Sequence, residues 1–148
     1  MIVVDASVAL KWLLTIDEES IKKAKSLLKN HLVGKNEILA PDFIFYEIAN
    51  ALATKTKVPQ VSVTKLVKKI YSFNLKIYHP SEKDVLDSAR LAKRYNSTVY
   101  DMLYAVLAKK QKIELVTADA NFIKKTKFKF VKHLKDISPS ARQKHLNK

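Results

Sequence analysis

The chain has 148 residues, of which 47% are hydrophobic, and a formal net charge of +14. This length suits one domain with a substantial core, and the hydrophobic content excludes a disordered chain. The absence of cysteine excludes disulfides, zinc ribbons and iron–sulfur clusters. No apolar run is long enough to span a bilayer, and no signal-peptide pattern is present, so we expect a cytoplasmic protein without membrane association.

The excess positive charge is concentrated toward the C-terminus. Charge this far from zero bears on partners rather than on fold, and it favours nucleic acid, an anionic membrane surface or an acidic protein. A solvated, lysine-rich surface is the alternative interpretation. The basic residues of this part are Lys124, Lys125, Lys127, Lys129, Lys132, Lys135, Arg142, Lys144 and Lys148.

Predicted strands and helices alternate along the chain. Short apolar runs predict strands at residues 2–4, 37–40 (stopped by Pro41), 75–78 and 114–117, with a candidate edge strand at 128–131. Helical periodicity predicts helices at residues 6–14, 17–32, 43–56, 61–73, 81–95 and 99–108, and a short helix after Asp119. This order predicts an α/β fold of right-handed βαβ units with a parallel sheet. We expect residues 1–138 to form one domain and residues 139–148 to form a basic tail.

Four carboxylates lie in apolar surroundings. Asp5 ends the first predicted strand and Asp119 follows the fourth, so both should lie at the carboxyl edge of the sheet, where α/β proteins bind ligands. Glu47 and Asp101 lie on two nearly all-apolar helices. If those helices lean over the same edge, the four carboxylates meet in one pocket.

Three of these carboxylates also have a simpler structural interpretation. Asp5 is a favoured residue type for a helix N-cap. Asp101 follows Thr98 with the spacing of a capping box. Glu47 would be tolerated in an apolar helix if a lysine from elsewhere paired with it, or if it lay on an exposed edge of the helix.

Four anions in one pocket require a cation. Mg²⁺ and Mn²⁺ prefer carboxylate and water oxygen, and such ions promote hydrolysis of phosphodiesters. Ser7, Thr117 and Asn121 are candidates to orient the carboxylates or bound water. The basic surface would then hold the phosphate backbone of the substrate.

At these residues the chain resembles the PIN-domain family, and within it the VapC-type toxin ribonucleases of VapBC toxin–antitoxin pairs. Four pieces in order carry the resemblance and extend over nearly the whole chain. They are VDAS at residues 4–7, EIANAL at 47–52, YDMLYA at 100–105 and TADANF at 117–122.

The resemblance implies a three-layer α/β/α sandwich with a central parallel sheet of four to five strands. It implies a Mg²⁺- or Mn²⁺-dependent endoribonuclease whose catalytic residues and metal ligands are Asp5, Glu47, Asp101 and Asp119. Asn121 matches a position that is often acidic in the family, which favours a mechanism with one metal ion. The resemblance also implies an RNA substrate, a homodimer and an antitoxin whose tail blocks the acidic pocket.

Other functions compete with this interpretation. The main alternative is a catalytically weak or inactive PIN-like subunit that binds RNA or takes part in RNA processing, which metal-dependent cleavage would distinguish. A phosphatase that uses Asp5 as nucleophile is disfavoured, because Ser7 stands where the haloacid-dehalogenase-like pattern has a second Asp. A phosphoaspartate receiver domain is disfavoured because its acidic pair and central Asp are not matched.

Overall fold

The computed structural model describes residues 1–15 and 18–138. Asp17, predicted in the first turn of the second helix, and the predicted tail at 139–148 lie outside the described residues. The strands are β1 (Ile2–Val4), β2 (Ile38–Pro41), β3 (Lys76–Tyr78), β4 (Leu115–Thr117) and β5 (Val131–His133). The α-helices are α1 (Ala6–Ala9), α2 (Glu19–Leu32), α3 (Ile44–Thr54), α4 (Gln60–Ser72), α5 (Glu82–Tyr95), α6 (Val99–Gln111) and α7 (Ala120–Thr126).

The five strands form one all-parallel sheet in the order β3-β2-β1-β4-β5. The chain adds β2 and β3 on one side of β1, then crosses back and adds β4 and β5 on the other side. Because βαβ connections are right-handed, this reversal places the helices before and after it on opposite faces of the sheet. The result is the predicted three-layer α/β/α fold with helices on both faces, and α6 packs across β1, β2 and β4.

Burial of the central strands explains their apolar composition. Val3 and Val4 of β1 and Ile38 of β2 have no exposed surface. Each fully buried aliphatic side chain of this kind contributes about 1.5–3 kcal/mol to stability. None of the helices within residues 1–15 and 18–138 is both long enough and apolar enough to cross a bilayer.

Some predicted boundaries are wrong in detail. The first helix, predicted over residues 6–14, is α-helical only to Ala9 and continues as a 3₁₀ turn at Leu10–Leu13. Pro41 does not stop β2 but is its last residue, aligned with Tyr78. Proline is tolerated there because the adjacent ladder bond comes from the N–H of Asp42 to the carbonyl of Tyr78, at 2.9 Å.

The last strand lies three residues later than predicted, at Val131–His133 instead of 128–131. Phe128 and Phe130 stack with ring centroids 5.4 Å apart, and Phe128 also meets the ring of Tyr95 at 5.1 Å. These aromatic contacts favour packing over strand pairing for that segment. Phe128 and Phe130 therefore pack against the core as partly buried side chains, and the strand begins only at Val131.

A buried carboxylate fixes the start of α5. Asp84 accepts hydrogen bonds from the Tyr78 hydroxyl (2.6 Å), the Ser81 N–H (2.9 Å) and Lys110 Nζ (3.3 Å). Ser81 completes the predicted capping box by accepting from the Asp84 N–H. Burial alone would raise the pKa of Asp84, but these hydrogen bonds outweigh burial and lower the pKa to about 2. Asp84 therefore joins α5 to β3 and α6 in its charged form.

We expect Asp84→Asn to lower the free energy of unfolding by about 2 kcal/mol at pH 7, because charge-assisted hydrogen bonds are lost in a buried place. The folded-state pKa is below the unfolded value, so this contribution is complete above about pH 4 and is lost as the pH falls toward 2. Urea unfolding between pH 7 and pH 3 measures it. Exposed Glu82→Gln in the same helical turn is the control, and an equal effect of both variants at every pH would contradict this account.

Candidate active site

The carboxyl edge of the sheet carries the first two candidate residues. Asp5 directly follows β1, and Asp119 lies two residues after the end of β4. β1 and β4 are neighbours, and the strand order reverses between them. In open parallel sheets this reversal opens a crevice at the carboxyl ends of the strands, which is where ligands bind.

Two helices bring the other two carboxylates to the same crevice. Glu47 projects from α3 and Asp101 from the first turn of α6. The four predicted residues line one pocket of about 200 Å³, which we call the acidic pocket: Asp5, Glu47, Asp101 and Asp119. The structure thus brings together all four carboxylates that the sequence singled out.

Two hydroxyls fix the carboxylate orientation of Asp5. The residue as a whole is 8% exposed. Ser7 Oγ donates to Oδ1 at 2.5 Å, and Thr117 Oγ1 donates to Oδ2. The Val8 N–H also donates to Oδ1, at 3.2 Å. Ser7 and Thr117, both predicted to orient carboxylates, therefore hold Asp5 from the start of α1 and from the end of β4.

The loop after β4 donates hydrogen bonds to the same two hydroxyl oxygens. The N–H of Ala118 donates to Ser7 Oγ and the N–H of Asp119 donates to Thr117 Oγ1, each at 3.0 Å. His133 of β5 contacts the same loop. Its Nδ1 accepts from the N–H of Lys135, so the ring hydrogen is on Nε2. Nε2 donates this hydrogen to the Ala118 carbonyl at 3.2 Å. His133 thus helps to position this loop, a role that its place in the sequence does not indicate.

Helix capping and a place in the acidic pocket are combined at three of the four carboxylate residues. The Asp5 and Asp119 carboxylates accept from the N–H groups of Val8 and Phe122, and both residues are N-caps. The Thr98 hydroxyl accepts from the N–H of Asp101 at 3.1 Å. Because each cap lies at a helix start on this edge, capping places these three acidic residues at the pocket.

Glu47 is held by a residue that the sequence did not single out. The hydroxyl of Tyr104, a side chain only 1% exposed, donates to Glu47 Oε1 at 2.7 Å. Tyr104 follows Asp101 by three residues, so both side chains lie on one face of α6. This spacing could have indicated that Tyr104 lies near the pocket. It could not have indicated the contact with Glu47, because Glu47 lies 57 residues earlier, on α3.

The pocket concentrates negative charge. Burial raises the pKa of Asp5 to about 6, against the hydrogen bonds from Ser7, Thr117 and Val8, and the charge of Asp101 adds to the rise. Burial also raises the pKa of Glu47 and of Asp101, and each is raised further by neighbouring carboxylates. The energetic cost of charging these groups together is the cost that a bound cation would remove.

The residues fit a hydrated divalent cation by donor chemistry. All four donors are carboxylates, which hard ions such as Mg²⁺ and Mn²⁺ prefer. Within residues 1–15 and 18–138 no three or more His, Cys, Asp or Glu form a group that could hold a metal ion as it stands. In proteins, Mg²⁺ usually keeps several waters and takes only one or two carboxylates directly.

The third predicted orienting residue lies elsewhere. Asn121 lines an adjoining pocket together with Lys125, and that pocket shares Asp101 and Asp119 with the acidic pocket. Lys55, at the C-terminal end of α3, lines the acidic pocket itself. Its charge lowers the pKa of Glu47 against the larger effect of burial. Neither lysine was singled out for this site by the sequence.

Fold and site together define a parallel α/β protein with an acidic pocket at its topological switch point. The chain belongs to the PIN-domain family, whose model matches residues 2–128. No curated protein matches it in sequence. The crystal structure of PAE2754 from Pyrobaculum aerophilum is similar, with 25% identity, a TM-score of 0.64 and 90% of each chain covered.

Two more distant structures share the fold. One comes from a toxin–antitoxin complex of Klebsiella pneumoniae, with 13% identity, a TM-score of 0.65, and 94% of this chain and 98% of that chain covered. The other is VapC20 of Mycobacterium tuberculosis, described as a sarcin–ricin-loop-cleaving toxin. It has 12% identity, a TM-score of 0.60, and 82% of this chain and 92% of that chain covered.

We expect Thr117→Val to lower the free energy of unfolding by about 2 kcal/mol, because the isosteric change leaves Asp5 Oδ2 buried without its hydroxyl donor. Urea unfolding in the presence of EDTA measures the change without a contribution from bound metal. Thr64→Val, an exposed threonine on α4, is the matched control. Equal stability of Thr117→Val and the control would mean that this hydroxyl does not support Asp5.

Proposed function

We propose that this protein is a divalent-metal-dependent endoribonuclease and the toxin of a toxin–antitoxin pair. The observation that carries the proposal is the meeting of Asp5, Glu47, Asp101 and Asp119, from four separate segments, in one pocket. Each segment belongs to a piece of the PIN-domain resemblance, and the family model extends over all four. A net charge of +14 suits a polyanionic substrate.

Asp5, Glu47, Asp101 and Asp119 are the residues that would hold Mg²⁺ or Mn²⁺. When bound, such an ion neutralises charge on the phosphodiester and lowers the pKa of a coordinated water. Ser7 and Thr117 keep Asp5 in one orientation, and Tyr104 does the same for Glu47. These carboxylates therefore do not need to reorganise when substrate arrives, which is the usual source of catalytic power in polar sites.

RNA is the proposed substrate because lysines accompany the carboxylates of the site. Lys55 lines the acidic pocket, and Lys125 lines the pocket that adjoins it. These two cations offer contacts for a phosphate backbone at a site that is itself negative, which a solvated lysine surface alone would not explain.

A protein partner is part of the proposal. The Klebsiella structure is a toxin–antitoxin complex, and this chain shares its fold. Large apolar side chains are exposed on α3 and α4, with Tyr46 71% exposed and Val61 85% exposed. Exposed side chains of this kind favour contacts with other proteins. We propose an antitoxin and a second copy of this chain as those partners, acting in the cytoplasm.

We expect RNA cleavage to require the metal and the acidic pocket. With a mixture of single-stranded RNAs, the full chain should cut with Mn²⁺ or Mg²⁺ and not with EDTA. Asp5→Asn and Asp101→Asn should each reduce the rate by at least about 100-fold, because several kcal/mol of charge stabilisation depend on the ion. Gel analysis of the products over time measures the rate.

The control is Asp136→Asn, an exposed aspartate that lines neither pocket. It makes the same change of charge and should cut like the wild type. Full activity of Asp5→Asn, or cleavage that persists in EDTA, would contradict the metal assignment. RNA binding without cleavage under every metal condition would favour the alternative of an inactive PIN-like subunit that binds or processes RNA.

A further inference from the structure

A second pocket adjoins the acidic pocket and extends beyond the residues that the proposed chemistry uses. We call it the side pocket and define it by Asn96, Ser97, Thr98, Asn121 and Lys125. It has a volume of about 240 Å³. Sites for drug-sized ligands span roughly 300–1,000 Å³, so this pocket suits one small unit of a longer ligand.

The two pockets form one continuous depression. Asp101 and Asp119 line both of them, so whatever occupies the side pocket lies beside the carboxylates of the acidic pocket. An RNA strand that presents one phosphodiester to the acidic pocket must place the adjacent nucleotide next to that pocket. The side pocket, formed by the loop at 96–98 and by α7, offers a place for that nucleotide.

The side pocket offers polar groups of the kinds that read single-stranded nucleic acid. Asn121 is exposed, and its amide presents both a donor and an acceptor. Ser97 adds a hydroxyl and Lys125 a cation. Unpaired bases are recognised by hydrogen bonds to their edges, and phosphates by such cations.

Lys125 is held at the side pocket instead of moving freely in solvent. Its Nζ donates to the carbonyl oxygen of Asn96 at 2.8 Å, which joins α7 to the loop between α5 and α6. An ammonium group has three donors, so two remain for a ligand. Holding the side chain in advance reduces the entropy lost on binding, which favours a phosphate contact at this position.

Lys55 lines the acidic pocket but not the side pocket. Two cations therefore accompany the carboxylates, one in each pocket. A phosphate backbone that passes over the carboxylates therefore meets one lysine in each pocket. A small anionic ligand confined to the side pocket would contact Lys125 but not Lys55.

We infer that the side pocket binds the nucleotide next to the cleaved phosphodiester, with Lys125 on its phosphate and Asn121 at its base edge. This inference rests on the proposed function for the identity of the ligand as RNA. It adds a subsite that gives the enzyme a nucleotide preference at one position beside the cut.

The first test measures binding without catalysis. Fluorescence anisotropy with a labelled random-sequence single-stranded RNA, in EDTA, compares the wild type with Lys125→Ala, Lys125→Arg and Lys65→Ala. We expect Lys125→Ala to weaken binding about five- to tenfold and to lower the salt slope by about 0.7. Lys125→Arg should retain most of the affinity. Lys65→Ala, an exposed lysine on α4, should bind like the wild type.

The second test reads the sequence at the cut. Products from a random RNA pool are sequenced at their new ends, for the wild type and Asn121→Ala. We expect the wild type to prefer one nucleotide beside the cut, and Asn121→Ala to reduce that preference about tenfold, while preferences at other positions stay unchanged. For Lys125→Ala, KM should rise about as much as binding weakens. The change in kcat should be the smaller effect, since Lys125 reaches the carboxylates only through its charge, which lowers the pKa of Asp101.

The outcomes separate the two proposals. If the wild type cuts RNA but Lys125→Ala binds like Lys65→Ala, or Asn121→Ala keeps the wild-type preference, the subsite is wrong and the proposed function stands. If the wild type does not cut but Lys125→Ala binds RNA more weakly than Lys65→Ala, the subsite stands and the nuclease assignment is wrong. If the wild type neither binds RNA in EDTA nor cuts it with Mn²⁺ or Mg²⁺, both proposals are contradicted. Thermal unfolding of each variant confirms that changes in binding do not come from loss of the fold.

Discussion

The fixed carboxylate of Asp5 is the constraint on which the rest of the site depends. Its two oxygens take hydroxyl hydrogens from Ser7 and Thr117, and the same hydroxyls accept from the N–H groups of Ala118 and Asp119. One buried charge thereby joins the start of α1, the end of β4 and the loop that carries the next carboxylate. The arrangement defines one orientation of Asp5, and it keeps a negative charge where burial disfavours it.

The sheet topology explains why distant parts of the chain meet here. The strand order reverses between β1 and β4, so helices leave this edge on both faces. α3 and α6 bring Glu47 and Asp101 into the pocket that Asp5 lines. Tyr104 then joins the two helices through its hydrogen bond to Glu47. The like charges brought together in this way raise the pKa values of Asp5, Glu47 and Asp101 beyond the effect of burial.

Local signals explain what the sequence could predict. Asp5 ends an apolar strand and Asp101 stands alone in an apolar helix, so both were visible from pattern alone, as was the parallel order of strands. The Tyr104–Glu47 hydrogen bond and the side pocket could not be predicted from the pattern, because their residues come together only when separate helices and loops pack. The last strand was placed too early because Phe128 and Phe130 have strand-like composition, while their rings pack against α5 and one another.

The most direct test of the central claim is the binding of Mn²⁺ to the metal-free chain, measured by electron paramagnetic resonance with wild type, Asp5→Asn and Asp136→Asn side by side. The account predicts saturable binding to the wild type and to Asp136→Asn, and binding at least about tenfold weaker in Asp5→Asn. Equal binding by all three proteins, or no binding by the wild type, would contradict the claim that the four carboxylates form a cation site anchored by Asp5.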